Sequence, residues 1–258
     1  MTATNEAAES AEGRTAALRD TGAALWKLSA GIVTGALAGL LVCGVGGRLV
    51  MYLLRFTSPD SSMGKTTDAK STIGEWSLQT FGLLETGIAM GAQVGALYIL
   101  VRPWLAEGNR HWKTAVFGAT AGGAMFIRPD GVDYYAVKPL WLTVPLFILL
   151  PALFGYLLAD WTERLLASGK FGEAPAWQLW VPVVLVAPAV WHITREPALV
   201  LLLVSTLLAT FLRGRAGAVV RVWRAPVTRW TGSRLLFVLG LANIYVIVTA
   251  VHEIAGKS

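Results

Sequence analysis

Seven apolar runs follow one another along the chain, and a helix needs about twenty such residues to cross roughly 30 Å of hydrocarbon. The runs lie at 28–54, 77–101, 112–128, 139–160, 176–193, 197–213 and 234–254. Because 55% of the 258 residues are hydrophobic and only 15% are charged, the chain has too little polar surface to cover a soluble globule. The sequence therefore predicts an all-α, polytopic transmembrane helix bundle.

The basic residues predict how this bundle is oriented. With seven crossings, fourteen Lys and Arg residues fall on the side of the N-terminus and seven on the other side. Since cytoplasmic loops carry the excess of Lys and Arg, we expect a cytoplasmic N-terminus in a bacterial-type plasma membrane. The third run is short enough to be re-entrant, which leaves six crossings as the alternative. That alternative would place the arginine-rich loop 213–234 outside, against the same rule.

The ends of the chain and its one cysteine add little chemistry. Residues 1–26 contain three glutamates and no apolar signal-peptide core, so we expect a flexible cytosolic tail followed by a single transmembrane domain over 27–258. Cys43 is the one cysteine in the sequence, which excludes a disulfide within the chain. No cofactor is predicted.

Glycines recur every four residues in the first two runs and, over a shorter stretch, in the third. Small residues at this spacing let transmembrane helices approach closely and gain dispersion contacts. We expect the first three helices to form one tight unit, and a protein partner or a second copy of the chain to use the same glycine-rich helices. The predicted packing residues are Gly31, Gly35, Gly39, Gly47, Gly87, Gly91, Gly95, Gly118 and Gly122, with Cys43 filling the gap in the first row.

Two charges lie inside apolar runs, Arg48 in the first and Glu85 in the second. A charge at the centre of a membrane helix costs about 2.5–3.5 kcal/mol on insertion scales, so each needs a partner or water. In the predicted threading both lie at a similar depth, about 9 and 12 Å below the outer surface. Three interpretations stay open: Arg48 snorkels to the outer headgroups, the two residues form a structural ion pair, or they handle a ligand or a proton.

An acidic turn follows the third run, with Arg128, Asp130 and Asp133 around a Pro-Asp-Gly turn signal. These side chains could bind a cation or an amine, or pair with Arg48. An ordinary solvated loop is the simpler alternative. Together with Arg48 and Glu85, they define the predicted outward-facing polar pocket.

Histidines on the predicted outer side suggest a metal or haem site. His192 and Glu196 have the i, i+4 spacing of metal ligands on one helical face, and His252 lies at the end of the last run. No recognised metal motif surrounds them. Histidines at the membrane interface without a ligand are the favoured interpretation.

The inner loop before the last run interleaves arginines with valine and tryptophan. Such a segment is expected to lie along the anionic inner leaflet, and this is favoured over nucleic-acid binding because basic charge in a membrane protein mostly follows topology. No nucleic-acid partner is predicted, whereas the lipid bilayer is. The predicted lipid-contacting residues are Arg215, Arg221, Arg224 and Arg229.

The segment Gly46-Gly47-Arg48-Leu49 is followed by a polar loop and later by Asp130-Gly131-Val132-Asp133-Tyr134, which leads into Pro139. Through these motifs the chain resembles a family of uncharacterised actinobacterial multi-pass membrane proteins over residues 30–165. The resemblance implies a multi-pass membrane fold and no known activity. It therefore assigns no functional residue.

Three functional hypotheses follow, in order of preference. The first is a non-enzymatic accessory subunit or small carrier built around the outward-facing polar pocket. The second is a proton- or cation-coupled solute transporter that uses the carboxylate of Glu85. The third is a haem- or metal-binding membrane redox protein that uses His192 and His252.

Overall fold

The computed structural model describes residues 26–58, 79–130, 139–168 and 225–257. Every regular element in these ranges is a helix. The helices, numbered here in chain order, are α1 Trp26–Arg55, α2 Gln79–Val101, α3 Arg110–Phe126, α4 Leu140–Ala167 and α5 Pro226–Lys257, and a short 3-10 turn, Arg102–Trp104, follows α2.

Four of these helices are long and apolar enough to cross a membrane. They are Trp26–Arg55, Gly82–Trp104, Leu140–Ala167 and Pro226–Gly256. The membrane-helical class is thus supported, whereas the count of seven crossings is not confirmed. The predicted runs 176–193 and 197–213 lie outside the described residues.

The third predicted run is a single helix of 17 residues, α3. It begins beside Glu163 near the end of α4, and the residue after it, Ile127, packs with Leu140 and Val144 at the start of α4. Because α3 runs antiparallel to α4 from one end of the bundle to the other, it contains no re-entrant turn. Its length of about 25 Å is nevertheless short for the hydrocarbon core.

The two ends of the bundle are named by the predicted orientation. The outer end is where α1 ends and α2 begins, and the inner end is where α2 ends and α3 begins. Helix α5 begins at the inner end, because Nε of Arg229 donates a hydrogen bond of 2.9 Å to the carbonyl oxygen of Pro103. It then runs parallel to α3, with Ile254 near Ile127 at the outer end.

Helices α1 and α2 pack through the predicted glycine rows. A Cβ atom at Gly31, Gly35 or Gly39 would collide with the carbonyl oxygen of Gly95, Gly91 or Gly87, respectively, and the reverse substitutions meet the same obstacle. The helices therefore touch backbone to backbone in an antiparallel register, which only glycine permits. These six glycines pack within the chain, as predicted.

The glycine row of α1 does not continue to Gly47. Residues Gly39–Gly46 form a π-helical segment, in which the repeat is i to i+5 instead of i to i+4. The residue that follows Gly39 on the α2-facing side is therefore Gly44, where an added Cβ would lie 2.9 Å from Cδ2 of Leu84. The prediction for Gly47 was wrong, because it extrapolated the α-helical spacing through a segment with one extra residue per turn.

The prediction that the first three helices form one unit was also wrong. Gly118 of α3 faces the carbonyl oxygen of Pro151 in α4, and Gly122 faces the ring of the same proline. Gly155 of α4 in turn faces the backbone of Thr114 in α3. The glycines of α3 thus bring it close to α4, and the bundle consists of two tight pairs, α1 with α2 and α3 with α4.

Candidate functional site

The described residues of the predicted outward-facing pocket are not joined by hydrogen bonds or ion pairs into one site. Arg48 and Glu85 form no ion pair with each other among the described residues, and Asp133 lies outside them. Leu84 lies beside Gly44, so Glu85 is level with the turn below Arg48. The π segment thus changes the predicted depths, and Arg48 and Glu85 differ in depth along the bundle by about one helical turn, roughly 6 Å.

Arg48 itself is half-buried, and its Nε and Nη2 atoms are buried without a hydrogen-bond partner among the described residues. A snorkelling arginine would instead place these nitrogens in water or among headgroups. Val50 and Leu54, on the opposite face of α1, pack against Leu142 and Phe147 of α4. Arg48 therefore lies on the side of α1 away from this contact with α4.

The acidic turn behaves as a local surface pair. Nη2 of Arg128 donates a hydrogen bond of 3.0 Å to Oδ2 of Asp130, and both side chains are largely exposed. This hydrogen bond, with the positive charge of Arg128, lowers the pKa of the Asp130 carboxyl below its ordinary value. The solvated-loop interpretation fits this geometry, because Arg128 and Asp130 interact with each other at the surface.

The predicted metal or haem residues are not brought together in the part of the chain that the structure describes. His252 is exposed near the end of α5, while His192 and Glu196 lie outside the described ranges. No cluster of three or more His, Cys, Asp or Glu side chains occurs among the described residues. The metal hypothesis therefore gains no geometric support.

The predicted lipid-contacting loop is partly a helix. Arg229 lies in the first turns of α5, where it is exposed and caps the inner end of α2 through the carbonyl of Pro103. One turn later, the guanidinium of Arg234 stacks 3.7 Å above the ring of Trp230. Arg215, Arg221 and Arg224 lie outside the described residues.

A charge cluster at the inner end was not predicted from the sequence. The carboxylate of Glu163 in α4 accepts hydrogen bonds from Nε and Nη2 of Arg102 at 2.6 and 2.7 Å, and from the hydroxyl of Tyr98 at 2.8 Å. Nη1 of Arg110 adds a fourth, at 3.1 Å. The cluster joins α2, the start of α3 and α4, and all of its members are largely shielded from water.

Two neighbouring features position this cluster. Gly108 has a φ of +88°, a conformation that glycine adopts without strain, and it turns the chain back so that Arg110 reaches Glu163. Beside Glu163, the buried hydroxyls of Thr162 and Thr34 are hydrogen-bonded at 2.6 Å, which ties α1 to α4. The inner end is thus the most highly cross-linked part of the described structure.

A cavity of about 960 Å³ lies between α2, α3 and α5, with Leu158 of α4 as its floor. Its walls are almost entirely apolar. The hydroxyls of Thr114 and Thr120, which also line it, donate to carbonyls of their own helix and so add little polarity. The main apolar wall residues are Val94, Leu97, Val116, Phe117, Leu236, Leu239 and Ile244.

The polar residues that line the cavity are concentrated at its inner end. Lys113 and Asn109 at the start of α3 and Ser233 near the start of α5 all lie there, beside Trp104 and Trp112. Lys113 is exposed and forms no ion pair with a described residue. The ring of Tyr98 lines the same end while its hydroxyl bonds Glu163, so the charge cluster supports the cavity wall.

Neither the cluster nor the cavity has a clear sequence signal. Glu163 lies beyond the predicted end of the fourth run, in a helix that continues to Ala167. In the sequence it has the same position as any glutamate at a membrane interface, so it was not singled out. The cavity depends on how α2, α3 and α5 are arranged around it, which no residue pattern specifies. Tyr98 in the last turn of α2 and Arg102, four residues later in the 3-10 turn, were the available hint of a shared partner.

No protein-family model matches the chain, and no curated protein or solved structure is significantly similar to it. The resemblance to actinobacterial multi-pass membrane proteins stays a prediction.

Proposed function

We propose that this chain is a non-enzymatic, multi-pass membrane protein that binds one amphiphilic lipid in the cavity between α2, α3 and α5. The observation that carries the proposal is the cavity itself, with apolar walls on α2, α3 and α5 and its polar residues at one end. Its volume of about 960 Å³ lies at the upper end of the range for ligand sites, roughly 300–1,000 Å³. Such a protein acts as a small lipid carrier or as a lipid-dependent accessory subunit.

The distribution of polarity defines how the lipid lies. An acyl chain fits between Leu97, Val116 and Leu239, where a polar molecule would lose its hydrogen bonds to water. The headgroup then reaches the inner end, where Asn109 and Ser233 offer hydrogen-bonding groups. Because Asn109 does not cap α3 through its side chain, its amide is available to the headgroup.

The charge of this end favours an anionic headgroup. Lys113 lines the cavity, and Arg229 and Arg234 stand nearby on α5. Basic residues near an anionic leaflet each contribute about 1 kcal/mol of attraction. The amphiphile is therefore expected to carry a phosphate or another negative group.

Gly240 gives a sharp test, since it lines the cavity and a Cβ there meets nothing nearer than Oγ1 of Thr120 at 4.0 Å. Gly240→Phe should fill the cavity without displacing a neighbouring helix. Native mass spectrometry of protein purified in a mild non-ionic detergent should show one bound lipid per wild-type chain. The variant should lose about tenfold or more in occupancy, the effect of roughly 1.4 kcal/mol.

Val238→Phe is the matched control, because Val238 is exposed on α5 and does not line the cavity. It should retain lipid as the wild type does. Equal lipid retention by the two phenylalanine variants, or no defined 1:1 adduct in the wild type, would refute the proposal.

Headgroup preference is tested separately with Lys113→Gln. This variant should lose its preference for phosphatidylglycerol over phosphatidylcholine, whereas Arg164→Gln, which removes an exposed inner charge outside the cavity, should keep it. An unchanged preference in Lys113→Gln would show that the cavity does not place a headgroup at this end.

A further inference from the structure

The guanidinium of Arg48 presents an unused hydrogen-bonding edge. Nε and Nη2 are both buried, and neither has a hydrogen-bond partner in the part of the chain that the structure describes. Leaving a charged donor buried and unpaired is strongly unfavourable, so such groups require a specific explanation. Arg48 lies about two turns below the outer end of α1, where water and headgroups do not freely compensate.

The same structure shows what this edge binds. Arg102 uses the same two atoms, Nε and Nη2, to hold both oxygens of the Glu163 carboxylate at 2.6 and 2.7 Å. This two-pronged geometry is the usual way in which arginine recognises carboxylate and phosphate groups. Arg48 therefore has the same pair of donor atoms that binds a carboxylate at Arg102, but no described acceptor is bonded to them.

Arg48 lies just beyond the close glycine contacts between α1 and α2. Across α1 and α2, Gly44 is level with Leu84, so the next turn outward brings Gly47 and Arg48 level with the start of α2, near Gly82. The outermost glycine contact of α1 with α2, Gly44 with Leu84, therefore lies one turn below Arg48.

The π segment turns Arg48 toward the side of α1 that faces α2. The extra residue per turn in Gly39–Gly46 places Gly44, and with it Arg48 one turn later, on the α2-facing side of α1. Single π turns within α-helices are frequent at functional sites. Without this segment, the α-helical spacing would put Gly47 on that side and rotate Arg48 away from it.

We propose that Arg48 binds an oxyanion, a carboxylate or a phosphate group, at the outer end of the α1–α2 pair. The group accepts one hydrogen bond from Nε and one from Nη2. It belongs either to a small anion or to the headgroup of an anionic lipid. This site lies at the opposite end of α2 from the polar end of the lipid cavity and does not depend on it.

The test measures thermal stability of the full chain in a neutral detergent, with inorganic phosphate or acetate added at constant ionic strength. A ligand that binds only the folded protein raises Tm, by about 3–6 °C at roughly ten times its Kd. The wild type should show this rise, and Arg48→Gln should not. Arg48→Lys should also lose it, because lysine keeps the charge but not the planar edge.

Two further arms complete the design. Adding phosphatidylglycerol to the detergent distinguishes the sources: a rise with phosphate or acetate assigns a small anion, and a rise with the lipid alone assigns a headgroup. Arg128→Gln is the control, since it removes an exposed charge on the same side and should respond as the wild type does.

Either assignment supports the proposal when the rise in Tm is lost in Arg48→Gln. Equal Tm shifts in the wild type and Arg48→Gln, or no shift with any of the three probes, would overturn it. The ligand-free proteins give an independent reading, because removal of an unpaired buried charge should leave Tm unchanged or raise it. If ligand-free Arg48→Gln and Arg48→Lys both melt well below the wild type, Arg48 is paired within the chain and the proposal is wrong.

Discussion

Glu163→Gln is expected to be among the most destabilising conservative substitutions at the inner end. The carboxylate accepts four hydrogen bonds, three of them from the guanidinium groups of Arg102 and Arg110. The glutamine keeps the shape but removes the negative charge that Arg102 and Arg110 share, and Arg110 keeps only its 3.3 Å pair with the exposed Glu107. The helices α2, α3 and α4 lose their common contact.

The magnitude follows from the contacts and their exposure. A hydrogen bond to a charged group contributes about 1.5–3 kcal/mol, and removing one member of a fully buried pair costs about 3–5 kcal/mol. The side chains of Arg102 and Glu163 are 27% and 29% exposed, so water offsets part of the loss. A net cost of about 2–3 kcal/mol is expected, which lowers Tm by about 5–10 °C for a chain of this size.

Fluorescence-detected size-exclusion chromatography after heating measures this shift in detergent. Asp160→Asn is the matched control, one turn earlier on α4, where the carboxylate pairs with an exposed Arg164 at i, i+4. Such a pair contributes about 0.3–0.5 kcal/mol, so its loss should lower Tm by no more than about 2 °C. If the two variants melted at the same temperature, the Glu163 cluster would not be what links the three helices.

Two further predictions concern helix packing. Gly91→Ala places a methyl group against the carbonyl oxygen of Gly35 and should lower the free energy of unfolding by about 1–3 kcal/mol. Gly240→Ala is the control, because its methyl group has room, and it should be neutral or slightly stabilising. Equal Tm values for the two variants would contradict the close α1–α2 contact. Thr34→Val removes the hydrogen bond to Thr162 and should cost about 1 kcal/mol, a Tm decrease of about 2–4 °C. Thr249→Val, whose hydroxyl bonds only its own helix, should change Tm less, and a larger drop there would argue against the interhelical bond.

The sequence by itself determined the class of the protein and much of its first helix pair. Long apolar runs are sufficient evidence for membrane helices, because backbone groups in hydrocarbon must be satisfied within the segment. The glycine repeats of the first two runs likewise predicted a close contact between helices, since small residues at that spacing let transmembrane helices approach each other. These repeats are Gly31, Gly35 and Gly39 in α1 and Gly87, Gly91 and Gly95 in α2. Both inferences depend on short-range regularities that the chain carries in its order of residues.

The tertiary structure decided which helix each of these glycine rows contacts. The π segment moves the α2-facing row from the predicted Gly47 to Gly44, and Gly118 proves to face Pro151 of α4 rather than α1 or α2. Neither result is encoded by spacing alone, because a glycine row fits any partner with a matching surface. Arg48 is the clearest case: the sequence predicts that its charge is costly in the membrane, but only the folded structure shows that its Nε and Nη2 are buried without a partner among the described residues.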